Sequence, residues 1–146
     1  MKVNKTELEQ ETVLISSYCD IITKIMKNEK ELSLIKLYVF SFLYNKAEYN
    51  KWSVYSGHDK EDIMYKCLSC LSGLYGEFTT SIYYIIAALD ILCSTNDFSI
   101  KADHVIYSGI TRKNIVPANL SFIYRAINDS RKYTDRQFLK EVIHNV

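Results

Sequence analysis

Apolar residues at Leu8, Leu14, Ile15, Tyr18, Cys19, Ile22, Ile25 and Met26 recur at spacings of three, four and seven. That rhythm predicts an amphipathic helix over about residues 6–27. Thr6-Glu7-Leu8-Glu9 at its start reads as a capping box, in which the Thr hydroxyl and the Glu carboxylate each satisfy a free backbone N–H. After the polar break Asn28-Glu29-Lys30, residues 32–44 run apolar on nearly every side, as a central helix buried by several neighbours does. Residues 45–58 lose all period and read as a loop carrying Tyr49, Trp52 and Tyr55.

Asp59, Glu61 and Asp62 suit the positive end of a third helix, whose inner face is Ile63, Met64, Cys67, Leu71 and Leu74, with Gly73 and Gly76 marking its end. A fourth helix, about residues 78–93, carries Phe78, Ile82, Ile85, Ile86, Leu89 and Cys93 on one stripe. Tyr83 and Tyr84 are adjacent, so one of them must leave that stripe. Two short apolar runs, Phe98-Ser99-Ile100 and Val105-Ile106-Tyr107, flank a polar loop at 101–104 and predict a β-hairpin. Gly109 is the expected bend of the connection that follows. Pro117 suits the first turn of a helix to about residue 128 that buries Leu120, Ile123, Tyr124 and Ile127. Thr134-Asp135-Arg136-Gln137 is a second capping box, opening a terminal helix with Phe138, Val142 and Ile143. The fold class is therefore mainly α: a compact bundle of about five to six helices with one small β-hairpin. It forms a single domain over residues 1–146, and helix-then-hairpin makes its C-terminal half winged-helix-like.

Composition narrows the function classes. The chain has 146 residues, is 48% hydrophobic and carries 18 Lys and Arg against 17 Asp and Glu. Near-neutral charge argues against a dedicated nucleic-acid binder. The balance is uneven, however. Residues 1–100 hold 10 basic and 13 acidic side chains, a net of −3, whereas residues 101–146 hold 8 and 4, a net of +4. Arg112, Lys113, Arg131, Lys132 and Arg136 lie in this basic third. The helix at 78–93 has no Lys or Arg for phosphate and carries Asp90, so direct base reading is not expected. Neither apolar run reaches the length and purity of a membrane span, and the charged start resembles no secretory signal, which makes a cytoplasmic location without membrane contact the expectation.

Candidate chemistry is sparse. Cys67-Leu68-Ser69-Cys70 matches C-x-x-C, but it falls within a helical period and has no second pair to complete a zinc site. Its expected role, like that of Cys19 and Cys93, is core packing. His58, His104 and His144 are scattered, with no local nucleophile. Phosphate-binding glycine loops and nucleophile elbows do not occur. No catalytic residue, cofactor or metal is assigned, and the chain is not expected to be an enzyme. Twelve Tyr, six Phe and one Trp are more than such a core needs, and such residues are enriched at protein interfaces. Tyr49, Trp52 and Tyr55, together with Arg112, Lys113, Arg131, Lys132 and Arg136, are the predicted partner-binding residues.

The order of blocks carries a family resemblance. A helix over 11–26 precedes Leu32-Ser33-Leu34-Ile35-Lys36-Leu37-Tyr38-Val39-Phe40-Ser41-Phe42-Leu43. A loop and the helices through Met64–Leu74 and Ile82–Cys93 lead into Phe98-Ser99-Ile100. Asn119-Leu120-Ser121-Phe122-Ile123-Tyr124-Arg125-Ala126-Ile127 precedes the last helix. This layout resembles the small middle component of bacterial ABC three-component systems, which includes the accessory subunit of Lamassu-type antiphage defence. The resemblance implies a non-catalytic adaptor that binds an SMC-like ABC ATPase and helps couple DNA sensing to an effector subunit, touching DNA only through the complex. The alternative is a winged-helix DNA-binding transcriptional regulator.

Overall fold

In a computed structural model, which describes residues 4–50, 63–110, 116 and 118–146, the chain is mainly helical with a small antiparallel sheet. Helix α1 spans Lys5–Glu29 and buries Tyr18, Ile21, Ile22, Ile25 and Met26. Its N-cap is Asn4, whose side chain accepts from the Thr6 N–H at 3.1 Å. The capping box expected on Thr6 is not used, because Asn4 already occupies the cap and places Thr6 inside the first turn. Lys30 ends the helix at φ 65°, donating its N–H to the Met26 carbonyl.

That turn sends the chain into strand β1, Glu31–Ser33, which begins the run read as a continuous buried helix. Leu32 pairs with Val105 across the sheet, and both are buried. Helix α2, Leu34–Asn50, follows without a break. It buries Leu37, Val39, Phe40, Phe42, Leu43, Tyr44 and Ala47, and packs against α1 and the helices at Tyr75–Cys93, Ala118–Ser130 and Asp135–Asn145. The expected loop at 45–58 is corrected in its first part: residues 45–50 continue α2, with Ala47 held in the core. Residues 51–58 lie outside the described residues, as do Asp59, Glu61 and Asp62.

Helix α3, Ile63–Ser69, is short and turns out through Gly73 at φ 78°, a conformation that glycine adopts without strain. Helix α4 spans Tyr75–Cys93 and leads into the hairpin of β2, Phe98–Lys101, and β3, His104–Tyr107. The sheet order is β1-β3-β2. The hairpin loop has two residues and not the four read from polarity: Ala102 at φ 50° and Asp103 at φ 64° form the tight turn, and Lys101 pairs with His104. Gly109 is required at the bend, since a Cβ there would strike the Tyr107 ring. Helix α5, Ala118–Ser130, and helix α6, Asp135–Asn145, complete the chain. Thr134 makes the predicted capping box with Gln137 in both directions.

Packing joins these elements into one core. Phe40 meets Phe138 at 5.5 Å between ring centroids, and Phe42 meets Phe78 at 5.3 Å. The N–H groups of Tyr107 and Ser108 donate to the carbonyls of Lys30 and Asp97, so the C-terminal ends of α1 and α4 arrive together at the end of β3. Further back, the Cys19 thiol donates to the Ala88 carbonyl at 3.6 Å. The two helices therefore run side by side in the same direction.

Candidate interaction surfaces

The corner between α5 and α6 is organised by buried charge. Lys36, in the first turn of α2, is only 7% exposed, yet its Nζ donates to the carbonyls of Ser130 and Tyr133, both at 2.8 Å. An ammonium there complements the negative end of α5 and satisfies carbonyls that the helix cannot. Burial pushes the Lys36 pKa below its ordinary value. Arg131 closes the same corner, donating to the Glu29 carboxylate at 2.7 Å and to the Glu31 carbonyl at 2.9 Å. Lys132 pairs with Asp129 at 2.7 Å, and Asp129 in turn accepts from the Met64 N–H at the start of α3. Two of the predicted partner-binding cations thus have partners within the fold: Arg131 ties the end of α5 to α1 and β1, and Lys132 pairs with the Asp129 that reaches α3. Charge alone could not separate these tethers from surface contacts.

An open groove of about 510 Å³ lies beside Lys36, Arg131, His104, Glu31 and Asp135. Its cations face two carboxylates, and Lys36 and Arg131 already donate to backbone carbonyls. It presents mixed charge without a convergent set of donors.

Arg136 stands differently. It is exposed on α6 and makes no ion pair among the described residues. On the same outward face are Lys140, Leu139, Ile143 and Val146, with Ile143 65% exposed. Of the three apolar residues named for this helix, Phe138 and Val142 point in, whereas Ile143 turns outward. Spacings of four and three place Leu139, Ile143 and Val146 in one apolar stripe beside two cations. Tyr49 lies in the last turn of α2, and its side chain is outside the described residues, as are Trp52, Tyr55, Arg112 and Lys113.

A second apolar surface lies on α4, and the sequence reading missed it by treating the helix as buried. Phe78, Ile85, Ala88 and Leu89 enter the core, whereas Tyr75, Tyr83, Ile86 and Ile91 are exposed. Tyr83 is 67% and Ile86 47% exposed, so Tyr83 leaves the buried stripe as expected and Ile86 leaves it against expectation. Among the described residues, α4 is the one helix long and apolar enough, by length and composition alone, to cross a membrane. Its inner side packs on α1 and α2.

Burial holds the pKa of each of the four cysteine thiols above its ordinary value. Cys67 is fully buried and its thiol pKa is pushed well up by desolvation, with a smaller push from Cys70. Burial also raises Cys70, Cys19 and Cys93. A nucleophilic thiol needs the opposite shift. All four are free, and no cluster of three or more His, Cys, Asp or Glu among the described residues is arranged to hold a metal. His104 bonds the Ala102 carbonyl in the exposed hairpin, His144 is exposed near the end of α6, and His58 lies outside the described residues. Comparison with protein-family models, curated proteins and solved structures finds no match to this chain.

Proposed function

We propose that this chain is a non-catalytic adaptor subunit that lends protein-binding surface to a larger assembly. The observation that carries the reading is the outward face of α6, where Leu139, Ile143 and Val146 are exposed beside Arg136 and Lys140. Such a stripe suits an amphipathic partner segment with apolar anchors and acidic flanks. The resemblance in block order supplies the partner class: an SMC-like ABC ATPase, with an effector subunit coupled through it to DNA sensing in antiphage defence. The aromatic residues Tyr49, Trp52 and Tyr55 are proposed as a second contact.

The test is co-purification of the full chain with an SMC-like ATPase encoded beside it. Leu139→Glu with Ile143→Glu should weaken capture at least tenfold, because buried apolar anchors dominate interface energy. Retained capture with both glutamates present would exclude α6 as the contact.

A regulator that binds DNA is the second reading, favoured by the hairpin directly after α4 and the third strand beside it. Against it, α4 offers phosphate no cation and carries Glu77 and Asp90. Duplex affinity that falls steeply with salt would support the regulator over the adaptor.

A further inference from the structure

We infer that the exposed face of α4 is the interface between two copies of this chain, packed as an antiparallel α4–α4 pair centred on Tyr83. Gly76, Thr79, Tyr83, Ile86 and Asp90 follow one another at spacings of three, four, three and four, which is the seam rhythm of paired helices. All five are exposed. Laid antiparallel about Tyr83, the seam matches its own reverse to within one residue. With Tyr83 on the twofold axis, Ile86 of each copy lies over Thr79 of the other and Asp90 over Gly76. Large residues thus meet small ones, and a Cβ added at Gly76 would have nothing within 4 Å in the single chain, so a second backbone has room to approach.

Charge fits the same pairing. The N-cap of α4 is Leu74, which provides no side-chain hydrogen bond, so the positive end of this helix lacks a capping acceptor. Asp90 makes no ion pair among the described residues and is the seam's only charged side chain. In the antiparallel pair each Asp90 carboxylate sits over the uncapped first turn of the opposite helix. One symmetric arrangement therefore answers both features. Glu77, also in that first turn, is occupied by Lys46 of its own chain.

A helix of 19 residues is about 28 Å long. Tyr75, Tyr83, Ile86 and Ile91 are exposed along most of that length, the kind of apolar face an isologous interface covers.

Sedimentation equilibrium of the full chain, over a concentration series, tests the pairing. A reversible species of twice 17.0 kDa is expected. Tyr83→Glu with Ile86→Glu should raise the dimer dissociation constant at least about 30-fold, with the circular dichroism of the folded monomer unchanged because both positions are exposed. Asp90→Lys should raise it about tenfold through two symmetric helix-end contacts. Oxidised Tyr83→Cys should give a covalent dimer, since a residue on the twofold axis meets its own copy. A single 17.0 kDa species at all concentrations would overturn the inference. So would a dimer indifferent to these substitutions, or monomers that insert α4 into neutral lipid vesicles.

Discussion

Ala102 shows how local strain is carried at a single residue. It holds φ 50° beside Asp103 at φ 64°, a region that costs Ala more than Gly, which has no Cβ, or Asn, whose side chain can hydrogen-bond locally. Ala102→Asn should stabilise the protein by about 0.5–1 kcal/mol and raise its melting midpoint without shifting the register of β2 and β3. Thermal melts of the two chains check this. Lys36 is the contrasting case, a charged residue inside an apolar run that a hydropathy reading can only count as an interruption. Its two carbonyl partners lie 94 and 97 positions away in sequence, which is why its role was not legible there. Lys36→Met should destabilise the fold by about 2 kcal/mol, the loss of two charge-assisted bonds outweighing relief from burying the ammonium. An unchanged denaturation midpoint would show that the two contributions cancel.

At the scale of elements, what could be read was whatever lies in local spacing. The helix starts at Thr134 and in the α1 region, the apolar face of α3 and the hairpin all follow from neighbours within one or two turns. Strand β1 was hidden because Leu32 and Ser33 have no alternation to display in three residues, and only pairing with β3 makes them a strand. The stripe expected on α4 fails at Ile86 because a helix apolar on several sides does not reveal which side the core takes. One polar junction is equally non-local. Lys24 of α1 bonds Asp20 at 2.9 Å and reaches Glu48 of α2 at 3.9 Å, beside the buried Tyr44 and the half-buried Tyr124. Burial raises the Glu48 pKa above its ordinary value, with Lys24 partly opposing the shift. Its folded form thus holds a proton more readily than its unfolded form, and ionised Glu48 costs stability at neutral pH. Glu48→Gln should raise the melting midpoint at pH 7. That gain should shrink as pH falls and the native glutamate takes up its proton ahead of the unfolded one. A gain that grows on acidification would contradict the assignment.

For the whole molecule, the arrangement is a core centred on α2, with apolar side chains left outside it on α1, α4 and α6, the last two forming the faces argued above. The face on α4 carries almost no charge and is self-complementary, whereas the face on α6 combines an apolar stripe with Arg136 and Lys140. These suit different occupants, a second copy and an acidic-flanked partner, and an adaptor that joins larger subunits needs more than one such surface. The basic third of the sequence contributes to this design in two ways. Arg131 and Lys132 hold the α5–α6 corner in place, and Arg136 and Lys140 face outward from it. The total charge of that region was legible in the sequence. Its division between tethering and display was not, because Glu29 and Asp129 become partners only in the folded chain.

Affinity capture of the native full-length chain with a co-expressed SMC-like ATPase, compared with the Leu139→Glu, Ile143→Glu double variant at matched expression, is the most direct measurement. The adaptor account predicts a stoichiometric complex that withstands purification and is lost with the variant, whose own melting midpoint stays unchanged. Failure of the unsubstituted chain to retain the ATPase, together with tight salt-sensitive binding to duplex DNA, would contradict it.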